Sequence, residues 1–236
     1  MILAAGLGTR LKPWTDHHPK ALALVNGKSL LQRNIEYLQQ FGITQVIVNV
    51  HHFASQVSQE IKNNNGWGSE VTISDETDMV LETGGGLKKA SWFFKNEGDL
   101  VLMNTDILTD MDLGAMITQH RSHQPLATLA VTDRKTSRYF LFNDKNELRG
   151  WRNIKTGEER PDQITKEKLI QKAFSGIHVI STQLFSLIKQ EGRFSMVDVY
   201  LDLCSNYTLQ GFDHSESKFI DVGKPESISE AEKMFS

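Results

Sequence analysis

Leu3-Ala4-Ala5-Gly6-Leu7-Gly8-Thr9-Arg10 carries a short apolar run, begun at Met1, directly into a glycine-rich turn and an arginine. An apolar run of that length, stopped by glycine, reads as a buried strand. Glycines let backbone N–H groups come close to a phosphate, and arginine adds a rigid fork of donors, so the turn suits an anionic ligand. A turn built only for packing has the same composition, and these eight residues alone leave both readings open. Two other phosphate-binding patterns are excluded. A dinucleotide-binding turn needs a third glycine where Leu11 stands, and a Walker loop needs one five residues before Gly27-Lys28-Ser29, where Leu22 stands.

Working outward, Ser29 is placed to cap a helix whose apolar residues Leu30, Leu31, Ile35, Leu38 and Phe41 recur at helical spacing, with Gly42 as its stop. Val46 to Val50 reads as a buried strand, Ala54 to Ile61 as a helix and Glu70 to Ser74 as a strand. A further helix is expected from Gly84 to Phe94, and a core strand, Leu100 to Met103, ends on Asn104-Thr105-Asp106. This alternation predicts β-α-β units on a parallel sheet. After Pro125 the pattern turns strand-rich, with Ala127 to Val131, Tyr139 to Phe142, Leu148 to Trp151 and Phe174 to Ile180. Helices are expected at Thr182 to Lys189, Met196 to Asn206 and from Pro225, and strands at Tyr207 to Phe212 and Lys218 to Val222. The expectation is an α/β fold with a mostly parallel mixed sheet flanked by helices. One domain is expected over 1–236, with a nucleotide-binding half, 1–124, and a substrate-facing half, 125–236. The polar stretch 155–168 reads as a loop over a site or as a solvated connection.

The chain has 236 residues, 39% hydrophobic and 23% charged, which excludes a disordered chain. Its balance of 26 basic and 29 acidic residues lacks the basic field of a nucleic-acid binder, so an anionic ligand must be held locally. The single cysteine, Cys204, forms no intrachain disulfide and fits a reducing, cytoplasmic setting. No run approaches the ~20 apolar residues of a membrane span, and the first residues lack the shape of a secretory signal. The first strand has no polar lead-in, so a start slightly upstream is expected.

The run continues Leu11-Lys12-Pro13-Trp14-Thr15, then Pro19-Lys20-Ala21-Leu22 and Val25-Asn26-Gly27-Lys28. The whole opening resembles the signature of the sugar-phosphate nucleotidyltransferases, departing from it at Leu24 and Ser29, where prolines are common. Leu81-Glu82-Thr83-Gly84-Gly85-Gly86, Met103-Asn104-Thr105-Asp106, Phe174-Ser175-Gly176-Ile177 and Phe219-Ile220-Asp221-Val222-Gly223 follow in that family's order. The first and third of these segments are similar to those of N-acetylmuramate-1-phosphate uridylyltransferases in particular. Thr105 stands where the family more often has glycine. The resemblance implies a Rossmann-like nucleotide-diphospho-sugar transferase fold and transfer of a nucleotidyl group from UTP to N-acetylmuramate 1-phosphate. Guanylyl or thymidylyl transfer to another sugar phosphate, and a non-catalytic nucleotide-sugar sensor, are the alternatives; Leu11 disfavours a nicotinamide-dependent enzyme.

The same resemblance implies Arg10 on the triphosphate, Lys20 at the reacting phosphates, and Leu3, Ala4, Ala5, Gly6, Gly8, Thr9, Thr83 and Gly84 around the nucleotide. It implies sugar contact at Ser175 and Gly176. The residues themselves support part of this. Asp106 and Asp221 each end an apolar run, where ligands of open α/β sheets collect, and two such carboxylates suit one Mg²⁺. Each aspartate alone equally suits a turn cap. Glu76 is a candidate acceptor for the N3–H of uracil or a plain surface glutamate. Catalytic roles fall to Arg10, Lys20 and Asp106, in a monomer or homodimer that meets small-molecule substrates, no nucleic acid and no membrane. His51 and His52 lack spaced metal partners and read as structural or surface residues, Cys204 reads as core, and Trp92, Phe93 and Phe94, which cannot all face one side of a helix, read as core packing, with one exposed at a subunit contact as the alternative.

Overall fold

The computed structural model describes residues 1–94, 98–161 and 168–235. Its elements begin with β1 (Ile2–Leu3), the hairpin β2 (Leu24–Val25) and β3 (Lys28–Ser29), then α1 (Leu30–Gln39), β4 (Gln45–Val50), α2 (Ala54–Asn63), β5 (Glu70–Asp75) and α3 (Glu82–Lys89). There follow β6 (Asp99–Asn104), β7 (Ile107–Thr109), α4 (Leu113–His123), β8 (Ala127–Thr132), β9 (Arg138–Phe142), β10 (Leu148–Asn153) and β11 (Glu158–Arg160). The chain closes with β12 (Ile170–Ser181), α5 (Met196–Leu203), β13 (Leu209–Asp213), β14 (Phe219–Asp221) and α6 (Pro225–Met234).

Ten strands share one mixed sheet, in the order β11-β10-β9-β12-β6-β1-β4-β5, with β8 joining β12 to β13. β1 lies between β4 and β6, parallel to both. β12 runs antiparallel to β6, β8 and β9. The expected alternation at residue 125 is thus a change from parallel to mostly antiparallel pairing. Strand period explains why the central runs are apolar throughout. Ile2, Ala4, Val46, Val48, Val101 and Met103 pack on one face with Leu31, Ile35 and Leu38 of α1. Met1, Leu3, Ile47, Leu100 and Leu102 pack on the other with Leu87 of α3 and Tyr200 of α5. A strand covered on both faces has no position for a solvent-facing residue.

The local signals behave as the sequence suggests. Ser29 Oγ accepts the Gln32 amide at 3.1 Å, and Gly42 leaves α1 at φ +75°. Trp92 is the exposed member of its aromatic trio and Phe94 the buried one. Two expectations shift. Thr182 to Lys189 is a 3₁₀ segment, Thr182–Leu187, and β12 begins at Ile170 because Ile170, Gln171 and Lys172 pair with β9. Within 155–168, Glu158–Arg160 is strand; residues 162–167 lie outside the described ones. Among the described residues no helix is long and apolar enough to cross a membrane.

Candidate active site

Because β1, β4 and β6 are parallel, their carboxyl ends meet at one edge of the sheet. A cleft of about 410 Å³ opens there, lined by Leu3, Ala4, Ala5, Gly6, Gly8, Thr9, Arg10 and Lys20 from the opening turn and by Asn104, Thr105 and Asp106 from the end of β6. Asn49 supports the start of the turn: its Oδ1 accepts the Ala4 amide at 2.7 Å. The two glycines of the turn have different reasons. Gly8 has φ +61°, and a Cβ there would lie 2.9 Å from Thr15 Cγ2 and 3.0 Å from Lys20 Cβ. The Thr15 hydroxyl donates to the Gly8 carbonyl at 2.9 Å. Gly6 has nothing within 4 Å of a built Cβ, so the protein itself does not demand glycine there. Among the described residues the amides of Gly6 and Leu7 have no backbone acceptor.

Charge is concentrated at the same edge. Lys20, 9% exposed, forms an ion pair with Asp106, whereas Arg10, 59% exposed, reaches over the cleft with Nη2 3.8 Å from Asp221 Oδ2. Gly223 makes room for that arginine, since a Cβ there would come within 2.7 Å of Arg10 Nη2. Asp221 Oδ1 is buried and receives no hydrogen bond. Burial pushes the Asp221 carboxyl above the usual carboxylate range, and the charge of Asp106 adds to the rise; Lys20, Arg10 and Arg134 oppose it. Two mutually repelling carboxylates, one with an unsatisfied oxygen, are a donor set for a hard divalent cation. No three His, Cys, Asp or Glu side chains cluster for a metal among the described residues, so a cation here needs further oxygens from ligand or water.

The opposite wall is the turn into α3, with Val80, Glu82 and Thr83 facing the cleft beside Ser195. Its three glycines are all required by protein neighbours. A Cβ at Gly84 would overlap the Phe194 ring, one at Gly85 would overlap the Gly192 carbonyl, and one at Gly86 would sit 2.8 Å from both Asn49 Nδ2 and Glu76 Oε1. The amides of Gly84 and Gly85 both donate to the Phe194 carbonyl, at 2.9 and 3.2 Å. Thr83 Oγ1 accepts the Met196 amide at 2.8 Å, and Arg193 Nε donates to Glu82 Oε1 at 2.8 Å. Glu82 takes φ +59°, a left-handed conformation unusual for a residue with a side chain.

Not every expected residue reaches the cleft. Glu76 is fully buried behind the wall, its carboxylate taken by Asn49 Nδ2 at 2.8 Å and the Leu81 amide at 3.3 Å, which leaves no exposed acceptor for a base. Gly84 is buried under Phe194. Ser175 turns inward, its Oγ 2.8 Å from His214 Nε2. Gly176, at φ +74°, marks a register shift between β12 and β8, and a Cβ there would be 2.7 Å from Asn104 Nδ2. The sequence reading passed over Asn49, Asn104 and Ser195. A lone asparagine inside or at the end of an apolar strand signals the first two; Ser195 arrives from a distant loop and carries no local signal. His51 is structural, with Nδ1 2.6 Å from the Glu76 carbonyl.

Residues 1–235 match the nucleotidyl transferase family. N-acetylmuramate alpha-1-phosphate uridylyltransferase of Caulobacter vibrioides is 39% identical over 119 residues, 50% of this chain and 49% of that protein. Mannose-1-phosphate guanyltransferase of Yarrowia lipolytica is 25% identical over 231 residues, 97% of this chain and 61% of that protein. The matches thus span about half to three-fifths of these relatives' own length. A crystal structure of HddC from Yersinia pseudotuberculosis complexed with GMP-PN superposes with a TM-score of 0.77 at 22% identity, covering 100% of this chain and 98% of that one, a likeness of fold.

Proposed function

The chain belongs to the nucleotidyl transferase family, and from that premise we propose that it joins a sugar 1-phosphate to a nucleoside triphosphate with release of pyrophosphate, the pair being N-acetylmuramate 1-phosphate and UTP. The observation that carries the reading is the gathering of Arg10, Lys20, Asp106 and Asp221 about the glycine turn at one edge of the sheet. The choice of UTP and of this sugar is supported by the Caulobacter relative and by the Leu81 to Gly86 and Phe174 to Ile177 segments. The guanyltransferase relative supports the rival, guanylyl transfer.

A sugar phosphate is largely dianionic at neutral pH, so it serves as the nucleophile without activation by a side chain. Its oxygen forms the new bond to the α-phosphorus as the bond to the β-phosphate oxygen breaks and pyrophosphate leaves. The obstacle is repulsion: like charges 4 Å apart cost roughly 4 kcal/mol at an effective dielectric near 20. In this reading the amides of the Gly6 turn receive triphosphate oxygens, Arg10 covers them from the solvent side, and Lys20 shares its charge between Asp106 and the reacting phosphates. Asp106 and Asp221 would hold Mg²⁺, which when bound neutralises phosphate charge. The first half of the chain takes the nucleotide and the second the sugar, in the cytoplasm, where nucleoside triphosphates are made.

Pyrophosphate release measured across four nucleoside triphosphates and a panel of sugar 1-phosphates tests the assignment. UTP with N-acetylmuramate 1-phosphate is expected to give the highest kcat/KM, and UTP ranking among the poorest donors would overturn the base assignment. A protein that binds nucleotide but turns over no sugar phosphate would instead be a sensor.

A further inference from the structure

Arg134 lies in the loop between β8 and β9, on the same edge of the sheet as the cleft but beyond Asp221. Its Nη2 donates to the Phe174 carbonyl at 2.8 Å, two residues before Gly176. Its guanidinium carbon lies 5.2 Å from the centre of the Phe219 ring. These two contacts fix the plane of the fork. Phe219 and Asp221 are alternate residues of one strand, so they share a face and are separated by roughly 6.6 Å along it. A guanidinium above Phe219 is therefore close enough to Asp221 for the two charges to act on each other. Asp221 thus lies in the field of two arginines, Arg10 at 3.8 Å and Arg134 beyond contact distance, the latter bonded to the carbonyl two residues before Gly176.

Among the described residues none of the nearby acids makes an ion-pair contact with Arg134. Asp133 is engaged by Lys172 at 2.7 Å, Lys172 also pairs with Asp213, and Asp221 faces Arg10. One of the five N–H donors of this exposed arginine is used by a backbone carbonyl, and the charge of Asp221 acts on it without forming an ion pair, so among the described residues the other donors meet no carboxylate. An aromatic face and a carbonyl that hold an arginine still, with the remaining donors free, form a preorganised receptor for a pair of anionic oxygens.

We propose that Arg134 is a specificity-determining residue that receives anionic oxygens of the sugar substrate, supplied by its phosphate or by a carboxylate on the sugar. The proposal rests on the reading of the second half as the sugar side. It assigns Arg134 to the sugar substrate and leaves the nucleotide to Arg10.

The test compares wild type with Arg134→Gln and Arg134→Lys by pyrophosphate release, with melting temperature as the control for folding. UTP is varied against N-acetylmuramate 1-phosphate, which bears a carboxylate, and N-acetylglucosamine 1-phosphate, which does not. Loss of a charged hydrogen-bond pair raises KM for the sugar phosphate about 10- to 100-fold in Arg134→Gln, and less in Arg134→Lys, with KM for UTP within about twofold of wild type. A rise confined to the acidic sugar identifies the carboxylate as the partner, and an equal rise for both sugars identifies the phosphate. An unchanged KM for the sugar phosphate, or an equal rise for UTP, overturns the proposal. If wild type refuses both sugars, the substrate assignment fails on its own, and the same variants are read on whichever sugar phosphate wild type accepts. Should Arg134→Gln not fold, Arg134→Lys alone carries the same KM comparison.

Discussion

Two glycine-rich turns face each other across the cleft, and their glycines answer to different partners. In the turn at residues 5–10, Gly6 has empty space where a side chain would go and its amide has no backbone acceptor. In the turn at 81–86, every one of Gly84, Gly85 and Gly86 is pressed against protein, and the first two amides are already given to the Phe194 carbonyl. One turn leaves the Gly6 amide without a backbone acceptor among the described residues; the other uses its backbone to hold the 192–196 loop, which in turn delivers Ser195 to the cleft. Equal composition therefore carries no fixed function: Gly8 is itself pressed against Thr15 and Lys20, and what sets Gly6 apart is that no other segment has filled its space.

The largest expected effect comes from the charges beside the first turn. Lys20→Ala should lower kcat by about 10²–10³, the range for removing one preorganised electrostatic donor, and nucleotide binding measured by calorimetry should persist. Asp106→Asn should behave alike, and retained turnover in either variant would remove the charge clamp from the site. Next in size is a substitution in the second turn. Gly85→Ala drives a methyl into the Gly192 carbonyl and should destabilise the fold by about 1–3 kcal/mol, read as a lowered urea midpoint. Gly6→Ala sharpens the contrast: its melting temperature should match wild type while KM for the nucleoside triphosphate rises roughly tenfold. A Gly6 variant that melts early would show both turns to be structural.

Smaller still is the response to pH, where two kinds of buried group in the second half diverge. His178, buried against the Tyr200 hydroxyl, is pushed down to about 3 by desolvation, and His214, chiefly by burial, to about 4. Both are depressed, so the unfolded chain takes up protons that the folded one refuses. Stability is full above about pH 6.5 and declines as the pH falls toward 4, seen as a falling melting temperature. Asp221 acts in reverse. Its raised carboxyl costs the fold stability when ionised, so acidification from its raised value down to the ordinary one relieves that cost. At neutral pH Asp221→Asn should melt no lower than wild type in the absence of ligand while losing most turnover.

The first half of the chain is legible because its ligand-facing atoms come from contiguous residues at strand ends. Gly6 and Asp106 announce themselves through apolar runs that stop at glycine or at a carboxylate, Arg10 follows the glycine turn, and Lys20 is reached only through the family resemblance. The second half hides its contribution. Ser175, a sugar contact by the family resemblance, bonds to His214, and β12 begins four residues earlier than its apolar pattern because polar Gln171 and Lys172 extend the ladder with β9. Glu76 misled for a related reason: a carboxylate after a strand end implies exposure, but Asn49, 27 residues earlier, offsets part of its burial cost with a hydrogen bond. Arg134 has no local signal at all, since the ring and the carbonyl that fix it are 85 and 40 residues away.

β12 is twelve residues long and is shared: its later residues complete the ladder with β6, its earlier ones that with β9, and Gly176 interrupts the run against Asn104. The strand is thus a common beam under both sides of the cleft, with its one break set beside the asparagine that precedes Thr105 and Asp106. The same beam forbids simple division of labour: a fragment ending before Ile170 would leave β6 with an open, apolar flank, and its expected fate is aggregation.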